Sequence, residues 1–273
     1  MPVRLYYRLE GDPEKPLLIL LHGFLGSHRD WSPIVEALRH SYRLLAMDLP
    51  GHGYTRVTGG TDGYTFPAAA TAMIDIVDSL DAATFSVIGY SMGGRLALYL
   101  ASIYAMRIDS LVIESASPGL RSAEERAARR AQDEQWARML DRGDMATFLD
   151  HWYAQPLFES LHRDEARFSK LLADRMNNRP HELAMALRGM GPGSQQPLWN
   201  EWAGNHIPTL LVVGEADAKY RGIADEMASL CREAVVEQIP GSGHNVHYER
   251  PDSYTTSLTR FLEGKGGISH GRD

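Results

Sequence analysis

The hydrophobic pattern switches between two periods along the chain, and the switching predicts its architecture. Leu17 to Leu21 is an unbroken apolar run, and similar buried stretches stand at Leu44 to Met47, Phe85 to Ile88, Leu111 to Ile113 and Thr209 to Val213. Strands covered on both faces of a parallel sheet read this way. Val3 to Leu9 alternates and predicts an edge strand, and Ala234 to Ile239 closes the series. Helical spacing fills the gaps. Ser32, as an N-cap before Pro33, opens a helix to about Leu38. Phe66-Pro67 starts another to about Leu80, with Met73, Ile76, Val77 and Leu80 on one stripe. Arg95 to Ala105, Gly222 to Leu230 and Asp252 to Glu263 supply three more. Strands alternating with helices imply an α/β class, with a mostly parallel sheet flanked by helices.

The rhythm lapses from about Ser115 to Trp199, where the chain is charged, helical and without a buried strand. Ser122-Ala123-Glu124-Glu125 is a capping box for a long helix ending near Gly143. Further helices are expected at Met145 to Tyr153, His162 to Met176 and Pro180 to Met190. The expected division is a core of residues 1–114 and 200–264, an inserted helical cap at 115–199 and a flexible tail at 265–273. The cap would cover the C-terminal edge of the sheet, where such folds put their ligand crevice.

Composition narrows the partners. The net charge of −7 argues against nucleic acid, which needs a basic face. No apolar run approaches the length of a bilayer span, so membrane insertion is not expected. The N-terminus lacks the pattern of a signal peptide, and the single cysteine, Cys231, suits a reducing compartment, so the cytoplasm is the expected location. A monomer and a homodimer fit the sequence equally.

The candidate chemistry starts at Gly89-Tyr90-Ser91-Met92-Gly93, a G-x-S-x-G nucleophile elbow between an apolar strand and a helix. A Cβ at Gly89 or Gly93 would collide with neighbouring chain. A serine so placed needs a histidine to take its proton and a carboxylate to orient that histidine. Asp217, just past the strand at Thr209, fits the carboxylate better than Glu215, which is too near the strand end, or Asp225, which should be helical. His244, after the strand at Ala234, is preferred over His247, which should lie near the start of the last helix. An oxyanion hole would take the backbone N–H groups of Met92 and of Phe24, in His22-Gly23-Phe24 after the first buried strand. His22 and His52 read as loop histidines without metal-ligand spacing, so no metal is expected.

The chain resembles the α/β-hydrolases over nearly its whole length. Within them it is similar to the menaquinone-pathway family of 2-succinyl-6-hydroxy-2,4-cyclohexadiene-1-carboxylate synthases (MenH). The resemblance is carried by Gly89-Tyr90-Ser91-Met92-Gly93-Gly94-Arg95, Pro118-Gly119-Leu120, Glu125-Arg126-x-x-Arg129 and Asp150-x-Trp152-Tyr153-x-Gln155-Pro156-x-Phe158. Arg175-x-Asn177-Asn178, Gly214-Glu215-x-Asp217-x-Lys219 and Gly243-His244-Asn245 complete it. It implies an α/β-hydrolase fold with an inserted cap, no organic cofactor, and an elimination in which the triad serine removes a ring proton and pyruvate leaves. It also implies a polycarboxylate small-molecule substrate, bound by Arg95, Arg129 and Arg175, with Tyr90, Trp152, Phe158 and Lys219 lining the site.

The residues weigh on this by themselves. Arg95 falls in the first turn of the elbow helix, where a cation opposes the helix dipole by about 0.3–1 kcal/mol. An anionic group beside Ser91 reverses that sign, since a charge-assisted hydrogen bond contributes roughly 1.5–3 kcal/mol. A salt bridge to a sheet-edge carboxylate is the plainer account of Arg95. For Arg129 it is a pair with Glu125 four residues earlier, worth about 0.2–0.5 kcal/mol, and for Arg175 a solvated helix charge. The competing activities on the same triad are a carboxylesterase, a thioesterase or a C–C bond hydrolase. A ligand receptor with little turnover is a further alternative.

Overall fold

The computed structural model describes residues 2–58 and 60–264; the tail expected at 265–273 lies outside them. The chain opens with β1 (Val3–Arg4), β2 (Tyr6–Glu10), β3 (Leu17–Leu21), α1 (Ser32–Leu38), β4 (Arg43–Asp48) and β5 (Arg56–Val57). It continues through α2 (Phe66–Ser79), β6 (Phe85–Tyr90), α3 (Met92–Tyr104) and β7 (Ile108–Glu114). A helical insertion follows: α4 (Ala123–Asp141), α5 (Met145–Tyr153), α6 (Glu165–Arg175), α7 (Pro180–Met190) and α8 (Trp199–Ala203). The β/α rhythm returns with β8 (Thr209–Gly214), α9 (Ala218–Leu230), β9 (Ala234–Ile239), α10 (Val246–Glu249) and α11 (Pro251–Glu263). Among the described residues no helix is long and apolar enough to cross a membrane.

Seven strands form one sheet in the order β2-β4-β3-β6-β7-β8-β9, and only β2 runs antiparallel to its neighbour. Successive side chains of a strand point to opposite faces. Ile19, Leu21, Val87, Leu111, Ile113, Leu211 and Val213 therefore share a core with α2 and α3. Leu18, Leu20, Ile88, Val112, Leu210 and Val212 pack on the other side against Trp31, α1 and α11. The insertion has its own core of Leu140, Phe148, Leu149, Trp152, Leu171, Leu183 and Leu187, which takes in Leu25 from the loop after β3. The C-terminal ends of the parallel strands are thus roofed by helices.

Several expected boundaries move, each for a local hydrogen-bonding reason. The strand expected at Val3 to Leu9 splits at Leu5, because Thr55 Oγ1 accepts the Tyr6 N–H at 2.8 Å and the ladder passes from β5 to β4. Ser32 is the first residue of α1 and not its cap; its hydroxyl donates to the Arg29 carbonyl at 2.7 Å. The cap in this region is Ser27, before a 3-10 turn at His28–Trp31. The helix expected at His162 to Met176 divides into a 3-10 stretch, Pro156–Arg163, and α6, because Asp164 accepts the Arg167 N–H at 3.0 Å and starts the second afresh. α3 and α9 begin earlier than Arg95 and Gly222, since Ser91 and Asp217 occupy their N-cap positions. α8 straddles the expected 199/200 division. The Ser122–Glu125 capping box forms as expected.

Candidate active site

Ser91 stands on the turn from β6 into α3 with φ 49° and ψ −105°, a conformation that few non-glycine residues adopt. The surrounding glycines make the turn possible. A Cβ on Gly89 would lie 2.5 Å from the Gly93 carbonyl oxygen, and one on Gly93 would lie 2.1 Å from that of Leu21. Either contact is closer than atoms approach. The Ser91 N–H donates to the Glu114 carbonyl at 2.9 Å, pinning the elbow to the end of β7.

His244 reaches Ser91 from the loop after β9, with Nε2 3.2 Å from Oγ and Nδ1 2.7 Å from Asp217 Oδ2. A carboxylate at Nδ1 favours a proton there and leaves the Nε2 lone pair for the serine hydroxyl. Asp217 serves twice: its Oδ1 accepts the Tyr220 N–H at 3.1 Å and caps α9. The rivals lie elsewhere. Glu215 is exposed and accepts the Gly241 N–H, Asp225 is exposed on α9, and His247 is paired with Glu114 at 2.7 Å and stacked on Trp31 at 4.4 Å.

The loop after β3 comes up beside the elbow. A Cβ on Gly23 would lie 2.5 Å from the Tyr90 ring, so the two turns are in contact. The Met92 N–H opens α3 and, like the first amides of any helix, has no intrahelical acceptor. Two buried histidines that had no assigned role hold this loop in shape. His22 Nε2 accepts the Leu49 N–H at 3.0 Å while its Nδ1 faces the Gly23 carbonyl at 2.7 Å. His52 Nε2 accepts the Leu25 N–H at 3.1 Å while its Nδ1 faces the Pro50 carbonyl at 3.0 Å. Burial depresses both imidazoles, His52 to about 3, so each stays neutral with one donor and one acceptor nitrogen. The only sequence signal was a pair of histidines at the ends of neighbouring strands. Each accepts an amide 27 residues away, and that separation hides the partnership.

The cations divide into two groups. Arg95 is buried, donating to the Met190 carbonyl at 2.8 Å and lying near Gln195 Oε1 at 3.5 Å, with its guanidinium 5.4 Å from the centre of the Phe66 ring. Among the described residues no carboxylate pairs with it, so the expected alternative of a sheet-edge salt bridge does not hold. Burial lowers it to about 10, which leaves it charged at neutral pH. Arg129 pairs with Asp133 at 2.7 Å and not with Glu125, whose carboxylate is committed to the capping box. Lys219 is exposed, with Nζ 5.4 Å from the centre of the Tyr220 ring; partial desolvation and Arg129 lower it, against Asp217. Tyr220, unforeseen in the sequence, links this group to the triad: its ring is 4.7 Å from that of His244, and both Arg95 and Arg129 act on its phenol.

Arg175 is on the other side and is not a solvated charge. It is buried and forms a two-pronged ion pair with Asp30 at 2.8 and 2.7 Å, a partner 145 residues away that no spacing could indicate. Burial works against its charge, but Asp30 and Tyr153 outweigh it and push the guanidinium up; its Nε remains buried without an acceptor. Tyr90 lies 5.4 Å from the His244 imidazole centre, within the field of Arg175. Burial, with help from Glu114, keeps its phenol protonated far above neutrality. Phe158 meets His244 edge-on at 6.0 Å, and Trp152 packs 5.0 Å from Phe24. The site therefore joins a hydroxyl–imidazole–carboxylate triad, the Met92 amide beside the loop after β3, aromatic walls and a buried arginine that, among the described residues, has no carboxylate partner. That set suits proton abstraction or acyl transfer on an acidic substrate.

Comparison with known proteins agrees with this geometry. The family model described as alpha/beta hydrolase fold matches residues 16–251. A Bacillus subtilis (strain 168) relative is 35% identical, over 93% of this chain and 92% of its own. The 2-succinyl-6-hydroxy-2,4-cyclohexadiene-1-carboxylate synthase of Escherichia coli O17:K52:H18 is 34% identical over 92% of this chain and 96% of its own. Among solved structures, MenH from S. aureus superposes with a TM-score of 0.89 at 32% identity, covering 96% of this chain and 98% of the other.

Proposed function

The chain belongs to the α/β-hydrolase fold family and, within it, to the 2-succinyl-6-hydroxy-2,4-cyclohexadiene-1-carboxylate synthases, lyases of menaquinone biosynthesis; on that premise we propose how its own residues carry the reaction. The substrate is 2-succinyl-5-enolpyruvyl-6-hydroxy-3-cyclohexene-1-carboxylate, and pyruvate is eliminated from it. His244, oriented by Asp217, draws the proton from Ser91, and the serine oxygen takes the ring proton. The N–H groups of Phe24 and Met92 receive the negative charge that develops on the substrate carbonyl oxygen. As electrons move through the ring, the bond to the enolpyruvyl oxygen breaks, the enolate of pyruvate departs, and the proton held by His244 is returned to it, giving pyruvate and restoring the neutral imidazole. Arg95 engages one substrate carboxylate, with Arg129 and Lys219 adding positive field and Tyr90, Trp152 and Phe158 shaping the walls. Residues 115–199 act as the cap that excludes water, and the protein works in the cytoplasm on this small molecule without nucleic acid.

The observation that carries this reading is Arg95: buried, charged, one helical turn from Ser91 and, among the described residues, without a carboxylate partner. An esterase gains nothing from such a residue, because its position opposes the α3 dipole and its burial is costly. Carboxylate binding offsets both, and arginine's planar fork suits that ligand better than lysine does. The test compares pyruvate release from the pathway substrate with turnover of p-nitrophenyl acetate, in wild type and Arg95→Ala. Elimination should dominate in wild type and collapse in the variant, with ester turnover spared. Ester turnover exceeding elimination in wild type would make the protein a hydrolase.

A further inference from the structure

His244 belongs to a compact unit that doubles back on itself. Glu249, the last residue of α10, accepts the N–H of Gly243 at 3.1 Å with one carboxylate oxygen and that of Asn245 at 3.3 Å with the other. Those are the backbone amides of the residues before and after His244. In return, the Glu249 N–H donates to the Asn245 carbonyl at 2.9 Å. The Glu249 side chain is buried, and among the described residues no arginine or lysine is ion-paired with it. Burial pushes its carboxyl up, while the neighbouring Ser160 and the N–H groups of Gly243 and Asn245 draw it downward and Glu114 adds repulsion. An unpaired buried carboxylate is destabilising unless its hydrogen bonds are needed.

The helical insertion holds the same unit from outside. A Cβ on Gly243 would lie 2.0 Å from Ser160 Oγ, so the Pro156–Arg163 stretch rests directly on the glycine before His244. Arg167 of α6 donates to the carbonyls of Tyr248 and Glu249 at 2.7 and 2.9 Å, and the Tyr248 hydroxyl donates back to the Arg167 carbonyl at 2.7 Å.

We propose that Glu249 is a positioning residue for His244, clamping the backbone on both sides of the imidazole so that it meets Ser91 and Asp217 together. Two N–H donors facing one side chain require an acceptor-only group with two oxygens, which glutamate supplies and glutamine does not. The imidazole must satisfy contacts of 3.2 and 2.7 Å at its two nitrogens, so small backbone shifts are enough to break one of them. This inference rests on the assignment of Ser91, His244 and Asp217 above.

The test is Glu249→Gln in the full chain, with four readouts: thermal unfolding, kcat and KM for pyruvate release, the rate of Ser91 labelling by a fluorophosphonate, and the downfield proton resonance of His244 Nδ1–H. A displacement on the order of an ångström costs about 100-fold in rate, so kcat and labelling should fall together by about 10- to 100-fold. KM should stay within about twofold of wild type by the same argument, because substrate groups are untouched, and the Nδ1 proton signal should shift or broaden. Unchanged kcat and labelling in a folded variant, or a loss confined to KM, overturns the proposal. Amide hydrogen exchange in wild type decides the case should the variant not fold: the Gly243 and Asn245 amides are slow if the clamp exists, and fast exchange at both overturns it. Labelling depends on the triad and not on the substrate. A wild type that labels well but releases no pyruvate would therefore defeat the synthase reading and leave the clamp standing.

Discussion

Arg175 at the end of α6 and Asp30 in the turn after β3 are joined by two parallel hydrogen bonds of 2.8 and 2.7 Å, with both side chains largely shielded from bulk water. Arg175 thus reaches the site with its charge already matched, whereas Arg95 does not. The two arginines have different consequences when removed.

Taking away one member of the Arg175–Asp30 pair leaves the other buried and uncompensated, which costs about 3–5 kcal/mol. Arg175→Ala and Asp30→Ala should each show that loss in urea unfolding, and the double variant should lose less than the sum. Additive losses would mean that the pair is not coupled.

Arg95→Ala should lower kcat/KM for pyruvate release by roughly 10- to 100-fold, the value of a charge-assisted hydrogen bond. Arg95→Lys should not restore it, because a point charge cannot present the guanidinium fork. Fluorophosphonate labelling of Ser91 should be unaffected in both variants; a parallel fall in labelling would show that Arg95 supports the elbow instead.

Asp217 can be separated into its two functions. Asn caps a helix as well as Asp does, so Asp217→Asn should keep α9 and the thermal midpoint while losing about 10⁴-fold in kcat, through the wrong imidazole tautomer. Asp217→Ala should lose the activity and also about 1 kcal/mol of stability with the cap. Equal stability of the two variants, measured by denaturant titration, would remove the capping role.

His52 sets a pH dependence. Its folded-state value, about 3, lies below the ordinary 6.5, so the unfolded chain binds the proton first as pH falls. The stabilisation is complete above pH 6.5 and is lost as pH drops towards 3, at up to about 1.4 kcal/mol per pH unit for a single group. His52→Gln, which preserves an acceptor for the Leu25 N–H, should be less steep than wild type between pH 6 and about 4. Identical slopes would mean that His52 does not titrate differently on unfolding.

What the sequence disclosed follows the range of the interactions involved. The bounds of Met145–Tyr153, Pro180–Met190 and Ala234–Ile239 agree with expectation because periodicity and local stops define them. The Ser122 capping box was legible for the same reason. α9 begins before its expected start because Asp217, considered only for its chemistry, is also a cap. The partner expected for Arg129 is Glu125, but the capping box takes that carboxylate and the guanidinium turns to Asp133, four residues on. Asp30, His22, His52 and Tyr220 act across the fold, and no spacing rule reaches them.

The central claim is that Ser91 takes the ring proton, aided by the imidazole 3.2 Å away. A positioned general base contributes about 10²–10⁴-fold. Single-turnover pyruvate release should therefore fall by that factor in Ser91→Ala, with substrate still bound. Release by the variant within tenfold of wild type would contradict the account.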